Sequence, residues 1–218
     1  MVSYYNGTSR MKYTVVGLIR SGTNYLKECI RLNIPGSTIH NSSIEGGIWT
    51  HAYNVPLPEG YNIVYSIKHP YSWIESISQR KTFTVYRTKI YYGGMIHGKN
   101  KVSVENAAKF WVEHVSFWLK QPVYSVTYES FLGKEKDYIN SIAAFYKDKV
   151  NSEFKLPKVV PGSETFNKSD IEMYKTFDVR TLDWQKIKYI NSVTGDLAKE
   201  LGYKLLKSEQ ELLEYQRV

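Results

Sequence analysis

The chain has 218 residues and a mass of 25.3 kDa, room for one ordinary domain, and its 42% hydrophobic and 23% charged residues exclude wholesale disorder. Cys29 is the single cysteine, which excludes intrachain disulfides and cysteine-rich metal sites, and no apolar run approaches the ~20 residues that span a bilayer. Lys plus Arg number 29 against 21 Asp plus Glu, and the formal net charge of +8 favours anionic partners: nucleic acid, a phosphorylated cofactor or an anionic glycan. Met1 to Arg10 is polar and lacks the apolar stretch of a secretory signal, so a cytoplasmic location is expected.

Strands and helices alternate along the chain. Tyr13 to Gly17 is β-branched, short and closed by glycine, the pattern of a buried strand. From Asn24 to Asn33 the apolar residues Tyr25, Leu26, Cys29 and Ile30 follow a helical period that stops before Pro35 and Gly36. Ser37 to Pro58 reads as irregular. Ile63 to Ile67 is a second buried strand, and Pro70 suits the first turn of a helix running to about Ser78. Ser103 is placed to cap a longer helix to Leu119, with Ala108, Trp111, Val112, Val115 and Leu119 on one face. Val123 to Thr127 is a third strand, and a helix is expected from about Lys136 to Tyr146. A basic loop from Lys155 to Lys168 precedes a last long helix from Asp183 to Leu201, ended by Gly202. This alternation predicts an α/β fold with a mostly parallel central sheet flanked by helices.

Gly17-Leu18-Ile19-Arg20-Ser21-Gly22-Thr23-Asn24 joins the first strand to a helix N-terminus, where glycines and exposed amides make a pocket for anions. Gly17 and Gly22 have the spacing of a nucleoside-triphosphatase loop, but Thr23 stands where that loop has its lysine. The second strand ends in Lys68 rather than a magnesium-binding Asp. Lys68 at the carboxyl end of a strand and Ser76 on the next helix make a second anion site, where open α/β sheets bind ligands. Two such sites ask for a ligand with phosphates at two ends.

These segments resemble the sulfotransferases that use 3′-phosphoadenosine 5′-phosphosulfate (PAPS). Val16 to Leu26 is similar to that family's 5′-phosphosulfate loop, and Val64 to Ser76 to its 3′-phosphate segment. Trp49-Thr50-His51, followed by Pro56-Leu57-Pro58, resembles the stretch bearing its catalytic histidine. Trp111 to Trp118, Pro122 to Leu132 and Val193 to Tyr203 follow in the family's order, so the resemblance runs from about Thr14 to Tyr203. It implies a single P-loop-like domain with a core of about residues 12–204 and short polar extensions. It implies in-line sulfuryl transfer to a hydroxyl, or an amine, of an unknown small-molecule or glycan acceptor, without metal, and with adenosine 3′,5′-bisphosphate (PAP) as product.

Carried over by position, Ser21, Gly22, Thr23 and Asn24 wrap the phosphosulfate and Arg20 neutralises the bridging oxygen. Lys68 and Ser76 hold the 3′-phosphate, and Tyr25 and Tyr128 approach the adenine. His51 is the general base, with His40, Glu45 and His97 as substitutes. Departures from the family pattern are Asn24 for a second threonine, Ser72 for an acid, and Thr50 for the lysine that often precedes the histidine. A third clamp on the 3′-phosphate is also missing, unless Lys155, Lys158 or Lys168 supplies it.

Sulfuryl transfer makes demands close to those of phosphoryl transfer, and alignment and charge stabilisation carry most of the acceleration. A histidine with a reference pKa near ~6.5 suits the base. Other histidines have structural readings: His69 near a helix start, His114 packed within its helix. From Ser78 to Val104 the chain carries Arg87, Lys89 and other cations, interleaved tyrosines and no acid, which suits a loop covering an anionic or sugar acceptor. Two rival functions stay open: a kinase-type phosphotransferase, and a non-catalytic basic protein binding nucleic acid or anionic glycan, although no nucleic-acid partner is expected on the transferase reading.

Overall fold

A computed structural model describes residues 12–40, 43–44, 48–49, 51, 53–57, 59–78, 102–158 and 179–216. Strand β1 (Lys12–Gly17) is buried from Tyr13 onward, because helices cover both faces of the sheet it centres. Helix α1 (Thr23–Asn33) follows, then β2 (Thr38–His40) and a small antiparallel pair, β3 (Ser43–Ile44) and β4 (Ile48–Trp49). Strand β5 (Tyr61–Ile67) leads into α2 (Pro70–Ser78), with Pro70 as the first helical residue. Helix α3 (Val104–Leu119), strand β6 (Tyr124–Thr127) and the single turn α4 (Tyr128–Phe131) come next. Helices α5 (Glu135–Phe145), α6 (Trp184–Glu200) and α7 (Glu209–Gln216) complete the described chain.

The four-stranded sheet is wholly parallel, in the order β2-β1-β5-β6. Gly17 pairs with Ser66 and Ile67 with Thr127, so the loops after β1, β5 and β6 leave the same edge side by side. From β1 the chain crosses through α1 to β2 on one side, and from β5 it crosses to β6 on the other. The order therefore reverses between β1 and β5, the place where open α/β sheets form a ligand crevice. Alternating side chains supply two cores. Val16, Tyr65 and Ile67 face Trp73, Trp111 and Ile187 of α2, α3 and α6. Val15 and Val64 face Leu26, Ile30 and Ile139 of α1 and α5.

Local signals act where the sequence places them. Ser103 Oγ accepts from the Asn106 amide at the start of α3, and Asp183 Oδ1 from the Lys186 amide at the start of α6. Gly202 (φ 78°) ends α6 in a Schellman turn: its amide bonds to Lys199 O and that of Tyr203 to Ala198 O. The stretch from Ser37 to Pro58 departs from expectation. It supplies β2, an edge strand of the main sheet, and the β3–β4 pair. At two or three residues each, these strands are too short for a period-two pattern. Helices α4 and α7 also have no counterpart in the sequence reading. Among the described residues, no helix is long and apolar enough to cross a membrane.

Candidate functional site

Beyond Gly17 the backbone turns tightly, with the Ser21 amide bonded to Leu18 O at 3.0 Å. Arg20 (φ 71°) and Gly22 (φ 77°) both take left-handed conformations, and Arg20 is exposed. A Cβ at Gly17 would lie 2.5 Å from Ser66 O, and one at Gly22 would lie 2.1 Å from the Tyr128 ring. Neither position admits a side chain. Neighbouring elements clamp the loop: Ser66 Oγ donates to Ser21 O at 2.5 Å, and Trp73 Nε1 to Ile19 O at 2.8 Å. Gly22 begins α1 with no side-chain cap, and the first turn holds no acid, which leaves a helix N-terminus suited to an anion. The Ser21 hydroxyl is fully buried and has no hydrogen-bond partner among the described residues. A buried polar group in that state points to something that satisfies it.

His51 comes to this loop from 34 residues away, and its Nδ1 lies 2.5 Å from Gly17 O. A carbonyl only accepts, so Nδ1 carries the proton and the lone pair of the neutral ring is on Nε2. The His51 pKa is lowered to about 4, with burial the largest cause; the Gly17 bond opposes the shift and the nearby Lys27 ammonium adds to it. Behind it, His114 Nε2 donates to His51 O at 3.3 Å, and the Tyr65 hydroxyl donates to His114 Nδ1 at 2.9 Å. The fully buried His114 thus ties the His51 backbone to the core.

Lys27 was not anticipated. It is 3% exposed, four residues past Thr23 on α1, and burial lowers its pKa to about 8. Its signal was present in the sequence, since it interrupts the apolar stripe between Thr23 and Ile30 with a charge.

At the end of β5, Lys68 is half-buried and its carbonyl accepts from Trp111 Nε1 at 3.0 Å. Next to it the His69 amide donates to Glu129 Oε1 at 2.9 Å, and the Tyr203 hydroxyl lies 3.1 Å from Glu129 Oε2. Burial raises the Glu129 pKa, and Lys68 is among the groups that oppose this. Ser76 Oγ, nearly two helical turns into α2, donates to Trp73 O at 2.8 Å. The buried Glu75 accepts from the Thr181 amide at 2.7 Å, which brings the Arg180 backbone against α2 near Ser76. Nothing in the sequence around Arg180 advertises this position, because the link is a contact across 106 residues.

No family model and no curated protein sequence matches this chain. The assignment of the site therefore rests on its own geometry.

The structure brings Arg20, Ser21, Gly22, Thr23, Asn24, His51 and Tyr128 to the loop after β1 and Lys68 to the end of β5, while Ser76 lies farther along α2, bonded within its own helix. Tyr25 departs from its expected place at a base. It is 3% exposed, its ring stands edge-on to Phe131, and its hydroxyl donates to Glu135 Oε1 at 3.1 Å. Tyr25 is a core residue because it points away from the crevice, into the layer between α1 and α5. Lys155 is likewise not a phosphate clamp. Its amide and carbonyl are bonded to the Asn33 side chain, at the opposite end of α1 from the loop and about 15 Å along the helix. Glu45, Thr50, His97, Lys168 and the acid-free stretch from 79 to 101 lie outside the described residues, as does the side chain of His40.

Proposed function

We propose that this protein is a PAPS-dependent sulfotransferase, acting on a hydroxyl or amine of a small-molecule or glycan acceptor. The observation that carries the reading is the hydrogen bond between His51 and Gly17, which joins a candidate base to the first residue of an anion-binding loop. The residues present fit the cofactor. They combine an orphaned buried hydroxyl at Ser21, a helix N-terminus without acids, and cations on both sides of the crevice: Arg20 and Lys27 at one strand end, Lys68 at the other.

When bound, PAPS would supply the activated sulfuryl group, with PAP as the product. The loop amides and the Ser21 hydroxyl would hold its 5′ end, and Arg20 and Lys27 would offset the negative charge that develops there. His51 takes the acceptor proton on Nε2 while Gly17 O holds Nδ1–H and keeps the ring oriented. Lys68 and Ser76, with Arg180 as a third group at α2, recognise a 3′-phosphate. That recognition separates the cofactor from ATP. A kinase reading lacks support at Thr23, where a lysine would reach a γ-phosphate, and at Lys68, where an acid would hold magnesium.

Calorimetry with PAP and with ADP, both without magnesium, tests the proposal. PAP is expected to bind more tightly, and Lys68→Ala is expected to lose about 1.5–3 kcal/mol for PAP and little for adenosine 5′-phosphosulfate. Equal affinity for the two nucleotides, or a strict need for magnesium, counts against the reading.

A further inference from the structure

Helix α6 carries Lys188, Asn191, Gly195 and Lys199 at spacings of three, four and four residues, a single face about 16 Å long. The chain returns beside this face from Tyr203 to Lys207, and a groove of about 820 Å³ opens between the two. Lys188, Lys199, Lys204 and Lys207 line it, together with Trp184, Leu205 and Leu206. Among the described residues none of these four ammonium groups pairs with a carboxylate. Glu211 approaches the groove edge, but its carboxylate is engaged by the Lys207 amide at 2.8 Å.

The floor is apolar in practice. A Cβ at Gly195 would meet only Leu205 Cδ1, at 3.9 Å, so the missing side chain leaves a dent backed by leucine. Asn191 is turned to internal work: Nδ2 donates to Leu206 O at 2.8 Å and Oδ1 accepts from the Tyr71 hydroxyl. Tyr203 sets its ring edge-on to His69, with centroids 4.8 Å apart, and its hydroxyl against Glu129.

Cations around an apolar dent select among anionic ligands. Single-stranded nucleic acid needs a row of exposed ring faces for successive bases, and with Tyr203 turned inward only Trp184 remains. A glycan needs donors and acceptors in the floor for its hydroxyls, and those of Asn191 are already bonded. We propose that this groove docks an acidic segment of a partner protein, with one bulky apolar side chain over Gly195 and carboxylates against the four lysines. Charge complementarity with a chain of net +8 supports the same occupant. A buried apolar anchor inside a charged rim is the usual anatomy of such contacts. The inference stands on α6 and does not depend on the transferase reading.

The test is a binding assay of the full chain, without nucleotide, on an immobilised library of acidic peptides with a randomised central residue. Leu, Met, Phe or Trp is expected at the centre of the bound peptides, with binding about tenfold weaker when that residue becomes Ser. Lys188→Glu combined with Lys199→Glu is expected to weaken the best peptide at least tenfold. The same reversal at the exposed Lys134 and Lys136, near the start of α5 on the other face of the sheet, is expected to leave it unchanged. Gly195→Ala fills the dent, so it is expected to weaken binding without lowering the melting temperature, since alanine is the better helix former. Four results overturn the proposal: no bound peptide, no preference at the centre, equal loss from both reversals, or tighter binding of a heparin fragment or oligothymidine than of any peptide.

Discussion

His51 and His69 invite comparison, because each lies at the end of a central strand's territory and each is held neutral by burial. Their pKa values are lowered to about 4 and about 3, with desolvation the largest cause in both. Their hydrogen bonds differ. In His69, Nδ1 accepts from the Tyr71 amide at 3.2 Å and Nε2 donates to Lys204 O at 3.0 Å, so both nitrogens serve the backbone. In His51 the backbone bond uses Nδ1, and the lone pair sits on Nε2 of a ring only partly buried at the crevice. Their hydrogen-bond partners separate the histidine tied into the core from the one tied to the loop after β1. Burial and pKa alone do not.

Acid should act on both alike, and it is the largest effect expected. Unfolded histidines protonate near ~6.5, whereas His51, His69 and His114 resist protonation until about 4, 3 and 3. Below the unfolded value the unfolded chain binds more protons. Stability is therefore fully present above pH ~6.5 and falls as the pH drops toward 4, by about 1.4 kcal/mol per pH unit for each histidine. Urea denaturation across this range should show it, and a flat profile would mean that the three rings are solvated.

Substitution should then split the pair. His51→Ala is expected to lower turnover ~10²–10⁴-fold while PAP binding stays near normal. The wild-type acid limb of kcat/KM should lie near the low value of about 4, well below an ordinary histidine, and the variant should lack it. Near-normal turnover in the variant would move the search to His40, Glu45 and His97. His69→Ala should instead cost about 2–5 kcal/mol of stability, because the Tyr71 amide and Lys204 carbonyl lose their partner in a buried setting. A His69 variant that folds normally but loses turnover would erase the distinction.

The smallest expected effect sharpens the electrostatics of the first site. Lys27 lowers the His51 pKa, so Lys27→Met should raise it, read as a move of the His51 ring's NMR titration midpoint to higher pH. No shift would place the Lys27 ammonium out of reach of the ring, and turnover need not be measured to see it.

Much of the fold was legible because its signals are short-range. The cap at Ser103, the glycine stop at Gly202 and the buried runs of β1 and β5 depend on neighbours within a few residues. The same holds for the loop from Gly17 to Thr23, whose glycines announce a tight turn at a helix start. Sequence also set the order of strands and helices, and with it an α/β sheet whose carboxyl edge bears the candidate site.

Tertiary structure alone decided which side of that edge each residue serves. Tyr25 and Gly22 lie three residues apart, yet one is committed to the core against Phe131 while the other makes room for Tyr128. The helical period marks Tyr25 as apolar without saying which layer receives it. The Thr181 amide reaches α2 through Glu75 across 106 positions, and His51 reaches Gly17 across 34. Strand β2 exists because β1 offers it a partner, not because three residues prefer extension. Contacts of this kind join residues tens to more than a hundred positions apart, and their free energy comes from partners that no local pattern encodes.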